Sequence, residues 1–114
     1  MNAFKSESIF RAEVKKILDY VEKSLSEVDP DLVECQGQFG AMTLQIREKQ
    51  KWVLSAQPSV QQIWLAMASL GKAYHFNFNP QSGGWVDDKD QSIELLQHLD
   101  SELRKSVGVG ILTK

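Results

Sequence analysis

Between Leu32 and Asp87 the apolar residues recur at every second position, and on either side of that stretch they recur every three or four. A period of two puts alternate side chains on opposite faces of a strand, whereas a period near 3.6 puts them on one stripe of a helix. The clearest case is Gln62–Met67, where Ile63, Leu65 and Met67 share one face and Gln62, Trp64 and Ala66 the other. Met42, Leu44 and Ile46 alternate in the same way with Ala41, Thr43 and Gln45, and Tyr74, Phe76 and Phe78 with Ala73, His75 and Asn77. Shorter strands are expected at Leu32–Gly37, Trp52–Ala56 and Trp85–Asp87. Turns at Gln38-Phe39-Gly40, Arg47–Lys51, Ser69–Lys72 and Asn79–Gly84 separate them, so neighbouring strands run antiparallel.

The flanking segments read as amphipathic helices. Phe10, Val14, Ile17, Val21, Leu25 and Val28 mark the first, from roughly Glu7 to Val28, with Ser6 or Ser8 as its cap and Pro30 as its stop. Ile93, Leu96, Leu99, Leu103 and Val107 mark the second, with Asp90 as N-cap, Ser92 competing, and Gly108 as its end. The apolar tail Val109–Leu112 is expected to pack back on the domain. The order helix, six strands, helix predicts an α+β fold: a two-layer sandwich of two terminal helices packed on one face of an antiparallel sheet of about six strands. One domain spans residues 1–114. The other sheet face is left open, with Gln62, Trp64, His75 and Asn77 looking out from it.

Charge narrows the partners. A net charge of −2 and a pI near 5.6 argue against nucleic acid, which needs a basic surface. No apolar run approaches the roughly 20 residues of a membrane span. The first residues carry Lys5 and Glu7 without the apolar core of a signal peptide or the Arg-rich look of a transit peptide, and Cys35 is the only cysteine. A reducing interior, most simply a bacterial cytoplasm, is the expected location.

Two groups of residues invite a functional reading. Asp29, Asp31 and Glu34 follow the first helix, with Glu27 just before them. A helix C-terminus favours cations, so acids gathered there oppose stability and suit attraction of a hard cation. Without histidine or EF-hand spacing, the pattern supports a shallow, partly hydrated site; simple solubilising charge is the alternative. The second group centres on Trp64, a large aromatic among polar neighbours: a contact residue, or one packed against a loop or a cross-strand neighbour. Cys35, beside Glu34, reads as a passive strand residue. His98 reads as a surface or half-buried helix residue, and His75 as either a sheet-surface or a partner-contact residue.

The run Gln57…Gln62-Ile63-Trp64-Leu65, the triplet Tyr74-His75-Phe76 and the lone Trp85 before the last helix, within this element order and after an acidic first helix end, resemble frataxin and its bacterial homologues. The resemblance covers about Ser8 to Lys105. It implies an accessory protein of iron–sulfur cluster assembly that binds iron weakly on an acidic ridge. Glu22, Glu27, Asp29, Asp31 and Glu34 fall on that ridge, with Asp19 extending it. It also implies binding to a cysteine desulfurase and its scaffold protein through Ser55, Gln57, Gln62, Trp64 and His75. By the same resemblance the chain is a monomer with possible iron-dependent oligomers, and a mitochondrial matrix location would apply to a processed form. Two other functions compete: a ferroxidase or iron-storage protein, and a metal-independent interaction domain. The chain departs from the family pattern where Lys15, Lys16, Lys23 and Ser26 dilute the acids. It departs again where Ser55 and Ala56 replace an asparagine and a basic residue, and where Pro58 directly follows Gln57.

Overall fold

The computed structural model describes residues 3–112. Helix α1 (Glu7–Leu25) leads into strands β1 (Val33–Gln38), β2 (Ala41–Ile46), β3 (Gln50–Gln57), β4 (Gln62–Met67), β5 (Lys72–Asn79) and β6 (Gly84–Asp87), and helix α2 (Leu95–Val107) follows. The strands form one sheet in sequence order, every neighbouring pair antiparallel. Met42, Leu54 and Leu65 are successive cross-strand partners on the inner face, as are Leu44, Trp52 and Met67. These rows are buried with Phe10, Val14, Leu18, Val21 and Leu25 of α1 and with Leu95, Leu99 and Leu103 of α2. Both helices therefore cover one face of the sheet, as the two periodicities require.

The boundaries differ from expectation where local hydrogen bonding competes with periodicity. Ser6 is the cap of α1, its hydroxyl accepting from the Ile9 N–H. The helix stops at Leu25 rather than Val28, because the Ser26 N–H and hydroxyl both turn back to the Lys23 carbonyl. Leu18, not Ile17, completes the buried stripe; Ile17 is half-buried. The β2–β3 hairpin turns within Arg47–Lys49, with Arg47 at φ +53°, so Gln50 and Lys51 extend β3 instead of forming the turn. Helix α2 is capped by Glu94, which accepts from the Gln97 N–H. Asp90 and Ser92 are held instead in a turn of their own, and the Ile93 carbonyl accepts from the Asp87 N–H, which keeps residues 93 and 94 extended beside β6.

The tail returns across the helices. Tyr20 donates its hydroxyl proton to the Ile111 carbonyl at 2.7 Å, and Arg104 reaches the Leu112 carbonyl. One Asp100 oxygen accepts the N–H groups of Ile111 and Leu112 at 2.8 and 3.0 Å, and the other accepts from Arg104. A Cβ on Gly110 would collide with the Asp100 carboxylate and the Arg104 guanidinium, so a larger residue there would displace the groups that make these bonds. Burial alone would raise the Asp100 pKa, but the bonds from Leu112, Arg104 and Ile111 outweigh it and hold the carboxyl below the usual range. A depressed folded-state pKa stabilises above the ordinary carboxylate pKa and is lost as pH falls through the lower folded value. Asp100→Ala should therefore cost about 2 kcal/mol near neutrality, by stranding two partly buried N–H donors. The gap between the thermal melts of the two proteins should narrow as pH falls from 7 and Asp100 protonates; a gap independent of pH would rule out the charged carboxylate as its source.

Candidate functional site

The outer face of the sheet is built by register. Gln38 pairs with Ala41, Ala41 with Ser55, Ser55 with Trp64 and Trp64 with His75, so these five side chains form one row across the sheet. The parallel row on one side is Gln57, Gln62 and Asn77, and on the other Thr43, Val53, Ala66 and Ala73. Both are uncharged; the nearest charges facing outward are Glu34 and Lys51 at one end and Asp88 at the other.

Trp64 is half-buried on this face, and its ring stacks on the His75 imidazole with centroids 4.3 Å apart and planes 15° from parallel. Its indole N–H donates to Gln62 Oε1 at 2.8 Å, and the Gln62 amide donates to Asn77 Oδ1 at 3.2 Å. This chain across β4 and β5 fixes the indole plane and uses its only donor. The Gln57 amide donates to the Ser55 hydroxyl, so all five expected contact residues share one face. The aromatic is thus supported by a cross-strand neighbour and still open to solvent along its rim.

The acids line the opposite edge, where α1 meets β1. Glu22 and Glu34 flank one shallow pocket of about 220 Å³ that Val28, Pro30 and Cys35 also line. Burial pushes the Cys35 thiol up to about 11, and the charges of Glu22 and Glu34 add to that, so the thiol is protonated and unreactive at neutral pH. Glu27, Asp29 and Asp31 are exposed in the loop between α1 and β1. Asp29 spends one oxygen on the Asp31 N–H. Asp19 is engaged by Lys15 at 2.7 Å, a bond that raises the lysine pKa. Among the described residues, no three His, Cys, Asp or Glu side chains converge into a group that could hold a metal ion. Exposed oxygen donors without convergence suit a hard cation held through its own waters.

Sequence reasoning passed over several residues. Asp88 follows β6, its N–H donating to the His75 carbonyl and its carboxylate 3.9 Å from His75 Nδ1. The signal was register: Phe76 pairs with Asp87, which places residue 88 beside residue 75. Phe39, at the β1–β2 turn, is 88% exposed, with the Arg11 guanidinium 5.1 Å from its ring centre. It borders a cleft of about 570 Å³ between α1 and that turn. On α2, Glu102 is buried, with Lys72 at 3.7 Å and His98 and Lys105 at 3.9 Å. His98 packs beneath Tyr74, and burial lowers its pKa.

Comparison with known proteins gives the same outline. Residues 3–109 match the model of the frataxin-like domain. The iron-sulfur cluster assembly protein CyaY of Paraburkholderia phymatum is 35% identical over 85 residues, covering 75% of this chain and 74% of that one. CyaY of Pseudomonas fluorescens is 29% identical over 100 residues, covering 83% and 89%. Among solved structures, frataxin from Psychromonas ingrahamii superposes with a TM-score of 0.81 over 95% of this chain and 99% of that one, at 23% identity, a likeness of fold. Trimeric frataxin from Saccharomyces cerevisiae, complexed with ferrous iron, superposes with a TM-score of 0.72 at 30% identity, covering 83% and 85%.

Proposed function

Because this chain belongs to the frataxin-like family, we propose that it is an accessory protein of iron–sulfur cluster assembly. Its sheet face docks on the cysteine desulfurase and scaffold protein, and its α1–β1 edge holds iron weakly as cargo. The observation that carries the reading is the Trp64–His75 stack, pre-set by Gln62 within an uncharged field. A rigid, half-exposed aromatic whose orientation is already fixed loses little entropy on association, the property of an interface anchor. The relatives' role in cluster assembly supplies the partner class.

At the edge, Glu22 and Glu34 are the principal carboxylates for ferrous or ferric iron, with Glu27, Asp29 and Asp31 adding field from the loop. Asp19, neutralised by Lys15, contributes least. The site is electrostatic and hydrated, so affinity should fall with salt. The arrangement does not favour a ferroxidase: His75 lies on the sheet face and His98 packs against Tyr74, neither at the α1–β1 edge.

The test is the rate of cluster formation by a desulfurase and scaffold with and without this protein. A change that depends on its concentration supports the reading, and an unchanged rate with no co-purification removes it. For the edge, amide NMR during titration with calcium or cobalt should show shifts centred on residues 22–34. The double variant Glu22→Gln, Glu34→Gln should weaken that binding by roughly three- to tenfold. Equal affinity in the variant would take these two carboxylates out of the site.

A further inference from the structure

We propose that the Trp64–His75 platform selects an arginine of its partner, with Asp88 as the residue that receives the guanidinium; the inference rests on the docking role given above to this face. Three observations lead there. First, the indole has no donor left to offer, because its N–H is bonded to Gln62, so it contributes only an apolar, electron-rich surface. Second, Asp88 continues the Trp64–His75 row, whose other members are uncharged. Its side chain is 32% exposed, and among the described residues His75 is its one ion-pair neighbour, at 3.9 Å. Third, the backbone that carries the carboxylate is held in place. The Asp88 N–H is tied to the His75 carbonyl at 2.8 Å, and the turn that follows is fixed by Asp87, which accepts from the N–H groups of Lys89 and Asp90.

Stack and carboxylate therefore lie in line: indole, imidazole, acid. The side chain complementary to that order has an apolar stem to lie along the aromatic rims and a cationic head to reach the carboxylate. Arginine and lysine both have the stem. Arginine alone adds a planar fork that bonds a carboxylate through two parallel N–H groups and also stacks on aromatic faces. Ser55, on the other side of Trp64, has only a short hydroxyl already engaged by Gln57, so it offers no competing charge. The surface thus discriminates by charge and by head-group shape, beyond the general attraction of an exposed aromatic.

The probes are N-acetyl-arginine amide, N-acetyl-lysine amide and the uncharged N-acetyl-citrulline amide, each titrated into the ¹⁵N-labelled protein. The arginine compound is expected to shift the Trp64 indole signal and the His75 and Asp88 amides in a saturable way, the lysine compound less, and citrulline not at all. Asp88→Asn, which keeps size and the backbone bond to His75, should reduce the arginine response about threefold, as for a partly exposed ion pair. Equal responses to arginine and citrulline, or an unchanged response in Asp88→Asn, would overturn the proposal. A second arm separates this inference from the docking role. If Asp88→Asn weakens capture of the desulfurase–scaffold complex and the arginine compound competes for it, the inference stands. If Trp64→Ala abolishes capture while Asp88→Asn and the arginine compound leave it unchanged, arginine selection falls and the docking role survives.

Discussion

Trp85→Ala is expected to destabilise the domain by about 3–5 kcal/mol, the range for deleting a large aromatic from a close-packed core. Trp85 is 1% exposed and meets Phe78 edge-on at 5.4 Å, Phe4 at 5.9 Å and Phe10 at 6.1 Å. Phe4 in turn lies 5.0 Å from Phe78. These rings close the end of the sandwich where the N-terminal segment, α1 and the β5–β6 hairpin converge. Phe4 reaches the cluster because Gln61 clamps its backbone, accepting from the Phe4 N–H and donating to the Phe4 carbonyl. An alanine would leave a cavity bordered by three rings from three elements, which cannot all move in to fill it. Small domains are stable by about 5–15 kcal/mol in total, so the loss is a large fraction of the whole. Urea unfolding should show a lower midpoint at unchanged slope. A midpoint shift equivalent to under about 1 kcal/mol would mean that the cluster is not packed as described.

Trp64→Ala should do the reverse: little to stability and much to association. The indole is half-buried and sits outside the core, so its removal costs about 1 kcal/mol of folding energy, a typical value for a point mutation. As an interface anchor, its loss should cost about 2 kcal/mol or more of binding, roughly a thirtyfold weaker capture of the desulfurase–scaffold complex. The effect on the cluster-assembly rate should disappear at protein concentrations that suffice for the unmodified chain. Circular dichroism and melting temperature serve as the control for folding. A variant that folds normally and binds as before would dismiss Trp64 as an anchor.

The fold was legible because each element declares its period. Gln62–Met67 alternates without interruption, and the structure buries Ile63, Leu65 and Met67 while leaving Trp64 on the other face. What periodicity could not supply was decided by single hydrogen bonds. Asp90 and Ser92 have the chemistry of a helix cap, but they bond to each other, and the Asp87 N–H takes the Ile93 carbonyl, so the cap falls on Glu94. Ile17 and Leu18 are adjacent and both apolar, and only the packing against the sheet shows which of them is sealed.

The candidate site was legible to the level of faces. Alternation together with the family resemblance placed Ser55, Gln57, Gln62, Trp64 and His75 on one surface, and register brings them together. Asp88 lies outside any alternating stretch, and its place beside His75 depends on how β6 pairs with β5. On the acid edge, composition put Asp19 and Glu22 in one set. The structure adds detail within that set: both line the cleft beside α1, Asp19 pairs with Lys15, and Glu22 also lines the pocket that Glu34 borders. Spacing along a helix cannot show which acid has a lysine within reach and which faces a neighbouring strand.

The most direct measurement is amide NMR of the labelled chain on addition of unlabelled desulfurase–scaffold complex. The account predicts signal loss concentrated on Ser55, Gln57, Gln62, Trp64, His75 and Asp88, and extending to the acid edge only in part. Loss confined to the solvent faces of α1 and α2, with the Trp64 indole signal unchanged, would contradict it.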